Sequence, residues 1–148
     1  MKINNVVVIG SGTMGSGIAA QLCNANIPVT LIDLKTEISQ NAKDRIKKSR
    51  PPLLIDKSKI DGIKVGNISD DFKVVSEADW VVEAVVERID IKHEIYERIF
   101  KARKKDSIVS SNTSSIPISV LSEKMTEDDK KDFCITHFFN PVRYMDLL

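Results

Sequence analysis

Along the chain, short runs of β-branched residues alternate with longer stretches in which apolar side chains recur every three or four positions. Val6 to Ile9 is a compact apolar run of the kind buried on both faces of a parallel sheet. Glycines end it, and from Gly15 to about Asn26 the residues Ile18, Ala19, Leu22 and Cys23 fall on one side of a helix. Val29 to Ile32 predicts the second strand, with Asp33 at its end. A polar helix follows from about Glu37 to Lys48, carrying a narrow apolar stripe of Ile38, Ala42 and Ile46. Pro51 and Pro52 then stop it, because proline lacks the amide a helix needs and constrains the residue before it. Residues 51 to 78 carry the weakest pattern, with Ile63 to Val65 and Phe72 to Val75 as short strand candidates. Trp80 to Val86 reads as a strand with its exit loop, and Ile89 to about Lys104 as a helix with Ile91, Ile95 and Ile99 in line and Tyr96 and Phe100 beside them. Ser107 to Ser110 predicts another strand, the region after Pro117 a short helix, and Phe133 to His137 a last strand.

Strands and helices in this alternation predict an α/β fold, a doubly wound and mostly parallel sheet with helices on both faces. No repeat, low-complexity segment or linker divides residues 1–148, which read as one domain. In such sheets ligands bind beyond the carboxyl ends of the strands.

Composition narrows the function classes. With 22 basic and 21 acidic residues the formal charge is +1, which gives no electrostatic support to nucleic-acid or membrane-surface partners. No run approaches the roughly 18 apolar residues of a membrane span, and the apolar stretch at the N-terminus lacks the longer core and cleavage site of a secretory signal. Cys23 and Cys134 lie far apart with no metal-like spacing, so reduced core thiols, a cytoplasmic setting and no bound metal are expected.

Gly10-Ser11-Gly12-Thr13-Met14-Gly15 is a G-x-G-x-x-G. Alone, such glycines could serve only a tight turn; here the loop leaves a strand, opens a helix and precedes a second strand ending in an acid. In a Rossmann-type dinucleotide site Gly10 permits the turn, Gly12 admits a pyrophosphate close to the backbone, and Gly15 lets the helix lie against the strand. Thr13 and Met14 sit at the helix start, whose free N–H groups and dipole suit phosphates. Asp33 lies eighteen residues beyond Gly15, near the roughly 20 expected for a carboxylate accepting the ribose hydroxyls. It would repel a 2′-phosphate, which predicts NAD over NADP, with Lys35 nearby as the one contrary charge.

Two further stretches carry candidate chemistry. Ser110-Ser111-Asn112-Thr113-Ser114-Ser115 places small hydrogen-bonding residues directly after a strand, as a capping loop or as a substrate-facing one. Thr136-His137-Phe138-Phe139-Asn140-Pro141 places a histidine behind an apolar run. Together with VIGSGTMGSGIA and ADWVVEAVVERIDIK, the blocks SSNTSSI and THFFNPVRYMDLL make the chain resemble the 3-hydroxyacyl-CoA dehydrogenase family over essentially its whole length.

The resemblance implies oxidation of the 3-hydroxyl of an L-3-hydroxyacyl-CoA by NAD in fatty-acid β-oxidation, or the related reaction of butyryl-type metabolism. It implies His137 as the general base, a role suited to an imidazole whose reference pKa is roughly 6.5. Ser114 is implied as the hydrogen-bond partner of the substrate oxygen, Glu87 and Lys92 as residues lining the cofactor site, and Asn140 as one close to the nicotinamide. On the residues alone, Lys92 equally suits a solvated helix position, Glu87 a helix N-terminal acid and Glu83 a buried structural carboxylate. His93 is expected to be exposed. The basic group Lys43, Arg45, Lys47, Lys48 and Arg50 reads as a solvated helix face, or, by the resemblance, as a contact for the phosphates of coenzyme A through residues such as Lys47.

In the family a glutamate partners the histidine, and counting through Met145-Asp146-Leu147-Leu148 places it at the first position beyond Leu148. On that count the chain is expected to be the cofactor domain of a longer enzyme that also carries a helical domain, binding NAD but turning over little by itself. The whole enzyme is expected to be a homo-oligomer. The wording of the last block and of Arg-Pro-Pro-Leu-Leu resembles long bacterial members fused to a crotonase-like hydratase, with a stand-alone 3-hydroxybutyryl-CoA dehydrogenase as the alternative. Rival readings are a 3-hydroxyacid dehydrogenase of the phosphogluconate type, which would not need the serine loop and His137 together, and a nucleotide-binding relative without turnover.

Overall fold

In the computed structural model, which describes residues 2–146, all four side chains of β1 (Val6–Ile9) are fully buried. Successive strand residues face opposite sides, so Val6 and Val8 join one apolar core while Val7 and Ile9 join the other. The first core is covered by α1 (Thr13–Asn24) and α2 (Thr36–Lys48), the second by α3 (Ile89–Ala102) and α4 (Ile118–Leu121). The remaining strands are β2 (Val29–Asp33), β3 (Ile63–Asn67), β4 (Trp80–Glu83), β5 (Ile108–Ser111) and β6 (Phe133–Ile135). Every pairing is parallel, and the order across the sheet is β3-β2-β1-β4-β5-β6. The order reverses between β1 and β4, so the chain leaves these two neighbours toward opposite faces and opens a crevice at their carboxyl ends. Ile9, Glu83 and Ser111 stand side by side along that edge.

Several expectations are corrected. Phe72 to Val75 is not a strand but part of a 3-10 helix, Phe72–Glu77. Asn67 and Asp71 curl the chain before it, with Asn67 Oδ1 accepting the amides of Ser69 and Asp70 and Asp71 Oδ2 accepting that of Asn67. The segment serves as the crossing from the sheet edge at β3 to its centre at β4, packing Phe72 beneath the Arg98 guanidinium of α3. Ile38 is 38% exposed, and its expected place in the buried stripe of α2 belongs to Ser39, whose hydroxyl donates to the Gly66 carbonyl at 2.7 Å. A 3-10 helix over Lys57–Gly62 and the short α5 (Glu127–Lys131) had no strong apolar signature. α1 stops at Asn24, two residues before Asn26, which takes a left-handed φ of 58°.

The segment after β6 is held from two sides. Val142 packs against α1 so closely that a methyl on Gly17 would lie 2.8 Å from its Cγ2. Arg143 Nη1 donates to the carbonyls of Pro52 and Leu54, and the Tyr144 hydroxyl to that of Pro52. Leu147 and Leu148, the end of the matched block, lie outside the described residues. Among the described residues no helix is long and apolar enough to cross a membrane, and no group of three His, Cys, Asp or Glu could hold a metal ion. Both cysteines are free; burial pushes each thiol above its ordinary value, Cys23 being buried and Cys134 half-buried.

Candidate active site

The glycine loop lies across the carboxyl end of β1 with the geometry its spacing predicts. Gly10 has a φ of +100°, and a side chain there would meet the Ala84 carbonyl oxygen at 2.5 Å. A methyl on Gly15 would sit 1.8 Å from the Gly10 carbonyl oxygen, so α1 can approach the loop only without one. Gly12 faces open space, with nothing within 4 Å of an added methyl, and no side chain caps the start of α1. An open backbone edge and uncapped amides are what a pyrophosphate needs. These residues therefore fit a dinucleotide.

Asp33 ends β2 facing this loop. Its Oδ2 accepts from the Ser11 amide at 2.6 Å and the Ser11 hydroxyl at 2.7 Å, and Oδ1 from the Leu34 amide at 2.7 Å. Three of about four acceptor positions of the carboxylate are thus engaged. Asp33 anchors the loop, and meeting two ribose hydroxyls requires the rotatable Ser11 hydroxyl to turn away. The Ser11 carbonyl is fixed by the Ser16 hydroxyl and, at 3.1 Å, by Arg45 of the basic helix. Ser11 is expected from the sequence only as part of the glycine motif and Arg45 only as one of the basic group on its helix; the bonds to Asp33 and across to α2 carry no signal there.

Met14, Glu87, Ser114, His137 and Asn140 line one hollow of about 350 Å³ beside Phe139. Four chain segments, distant in sequence, deliver them to the crevice. His137 is half-buried, its ring centroid 4.6 Å from that of Phe139. Its segment is aligned by the Thr136 amide donating to the Ser111 carbonyl and the Phe138 amide donating to Asn112 Oδ1. The serine-rich stretch gave no sign of this bond from Asn112 to the histidine segment. Among the described residues the imidazole has no hydrogen-bond partner.

Glu87 gathers the serine loop. Its Oε1 accepts from the Thr113 and Ser115 hydroxyls and the Ser114 and Ser115 amides. Partial burial works to raise its pKa, but the Thr113 hydroxyl, the Lys92 ammonium and the Ser114 amide outweigh that and hold it at about 2. Lys92 is not a solvated helix residue: it is 1% exposed, with Nζ 2.7 Å from Glu83 Oε1 and 3.3 Å from Glu87 Oε2. Glu83 is the buried carboxylate, 0% exposed. His93 is half-buried rather than exposed, with Nε2 2.9 Å from the Val120 carbonyl oxygen. Lys47 stands apart in a shallow depression with Lys48, Arg50 and Lys57. A cleft of about 600 Å³ between α3 and the α4–α5 region contains none of the expected site residues.

Comparison with known proteins places the family and the fold. The family model described as "3-hydroxyacyl-CoA dehydrogenase, NAD binding domain" matches residues 5–148. A probable 3-hydroxyacyl-CoA dehydrogenase of Deinococcus radiodurans is 43% identical over 100% of this chain and 45% of that protein. A putative fatty acid oxidation complex trifunctional enzyme of Rickettsia felis is 42% identical over 99% of the chain and 21% of that protein. The chain therefore spans less than half the length of these relatives. Among solved structures, 3-hydroxybutyryl-CoA dehydrogenase from Escherichia coli K12 superposes with a TM-score of 0.84 at 27% identity, over 98% of this chain and 31% of that one.

Proposed function

This chain belongs to the 3-hydroxyacyl-CoA dehydrogenase family, as its NAD-binding domain, and from that premise we propose that it forms the cofactor half of an enzyme oxidising the 3-hydroxyl of an L-3-hydroxyacyl-CoA. The observation that carries the reading is the convergence of Met14 from the glycine loop with Glu87, Ser114, His137 and Asn140 on one hollow. The uncapped start of α1 and the open edge at Gly12 receive the pyrophosphate, Asp33 the adenosine ribose, and the hollow the nicotinamide end. NAD, when bound, supplies the hydride acceptor.

The remaining chemistry falls to the chain's own side chains. His137 takes the proton of the substrate hydroxyl, while the Ser114 hydroxyl donates a hydrogen bond to the same oxygen. Glu87, pinned by four donors, keeps the serine loop at the rim. Lys92 supports the cofactor site from beneath, and Asn140 borders it. An acid to orient the imidazole, and a helical domain to cover the acyl-CoA, belong in this reading to a longer polypeptide that forms a homo-oligomer. Lys47 and its basic neighbours would meet the coenzyme A phosphates. The name of the Rickettsia felis relative, a trifunctional enzyme, supports fusion to further modules, in this reading a crotonase-like hydratase; that of the Escherichia coli neighbour supports the 3-hydroxybutyryl alternative. A cytoplasmic location is part of the same proposal. His137 and Ser114 on one hollow weigh against a relative without turnover.

The test is a fluorescence titration of the chain with NADH and NADPH. NADH should bind saturably and NADPH at least about tenfold more weakly, the effect of one like-charge contact worth about 1.4 kcal/mol. Absence of saturable NADH binding, or tighter NADPH binding, would overturn the cofactor assignment.

A further inference from the structure

Glu83 closes the central strand β4 between Ile9 and Ser111, with no exposed surface. Val81 and Val82 precede it in the same strand and are equally buried; packing alone would be met by another valine. A carboxylate there is costly to desolvate unless fully partnered. It has four donors: Oε1 accepts from the Val85 amide at 2.9 Å and Lys92 Nζ at 2.7 Å, and Oε2 from the Tyr96 hydroxyl at 2.5 Å and the Ser111 hydroxyl at 2.7 Å.

These bonds lead outward to the hollow. Lys92 passes from Glu83 to Glu87, and Glu87 passes to the Thr113, Ser114 and Ser115 donors. Ser111 offers a second route, its Oγ accepting the Thr113 amide at 3.3 Å. The Val85 amide ties down the turn that lines the hollow and against which Gly10 is pressed. We infer that Glu83 is a positioning residue for the nicotinamide half of the cofactor, acting through Lys92 to hold Glu87 and the Thr113–Ser115 loop at the rim. This rests on assigning the hollow to the nicotinamide end.

The physical reason lies in the balance of charge. Lys92 divides its attraction between a carboxylate inside the sheet and one at the rim. With the inner charge removed, the buried ammonium draws Glu87 inward and pulls it from the loop. The Glu83→Gln variant keeps the shape: its amide oxygen faces Lys92 and the Val85 amide, and its NH2 group faces the Tyr96 and Ser111 hydroxyls, which can turn to accept.

The experiment compares NADH with ADP-ribose, which lacks the nicotinamide, by calorimetric titration of the chain, with circular dichroism and thermal unfolding as controls. In Glu83→Gln, NADH affinity should fall about tenfold, the weight of one charge-assisted hydrogen bond, while ADP-ribose binds as to the wild type. Should that variant fail to fold, Tyr96→Phe removes one donor to Glu83 while keeping its charge, which then draws Lys92 away from Glu87, and it should show a selective loss of NADH affinity in smaller measure. Parallel loss of both ligands would make Glu83 a structural residue only, and unchanged NADH binding would remove its role; either result overturns the inference. A wild-type chain that binds ADP-ribose and NADH equally would instead overturn the assignment of the hollow on which the inference depends.

Discussion

Replacing His137 with alanine should lower acetoacetyl-CoA reduction by NADH about 10² to 10⁴-fold in the enzyme that carries this chain, the range for loss of a positioned acid–base group. The same variant should bind NADH within about twofold of the wild type, a difference below roughly 0.5 kcal/mol, because the loop, Asp33 and the uncapped helix start are untouched. The separation of effects follows from the structure. His137 enters the hollow on a segment held by backbone bonds to Ser111 and by the Asn112 side chain, and the methyl of alanine alters neither. Steady-state rates and a fluorescence titration on one preparation check both halves. Substantial activity in the variant would remove His137 from the chemistry.

Gly15→Ala should destabilise the chain by about 3 kcal/mol or more, as overpacking against rigid backbone does, and abolish measurable NADH binding. The new methyl would lie 1.8 Å from the Gly10 carbonyl oxygen. That neighbour is backbone, itself locked between β1 and the Ala84 turn, so α1 has to lift away from the sheet. For a domain of this size the thermal midpoint should fall by about 10 °C. Gly12→Ala provides the contrast, since nothing lies within 4 Å of its added methyl: it should leave the midpoint unchanged yet weaken NADH where the pyrophosphate approaches. Thermal unfolding alongside titration distinguishes a loop that cannot form from a formed loop that is obstructed.

Much of this architecture is legible in the sequence because its signals are local. β1, β2, β4 and β5 are apolar runs that end in glycine, acid or serine, and the glycine loop is a contiguous motif whose geometry depends on its own backbone. Phe72 to Val75 misleads for the complementary reason. Its β-branched residues match a strand, yet the side chains of Asn67 and Asp71 and the need to cross the sheet decide its conformation. The Glu83, Lys92, Tyr96 and Ser111 cluster joins residues spread over three elements. Lys92 and Tyr96 share a helix face four residues apart, but what that face meets is a tertiary fact. Likewise Ser11 and Arg45 show their roles only once the loop and α2 are adjacent.

In the proposed enzyme the nicotinamide end of NAD lies in the hollow bounded by Met14, Ser114 and His137. A crystal structure of the chain with NAD bound tests it most directly. The nicotinamide ring should occupy that hollow, with its hydride-accepting carbon on the side open to His137, and the adenosine ribose should lie against Asp33. A ring lodged elsewhere, with His137 out of reach of any substrate placed against it, would contradict the assignment.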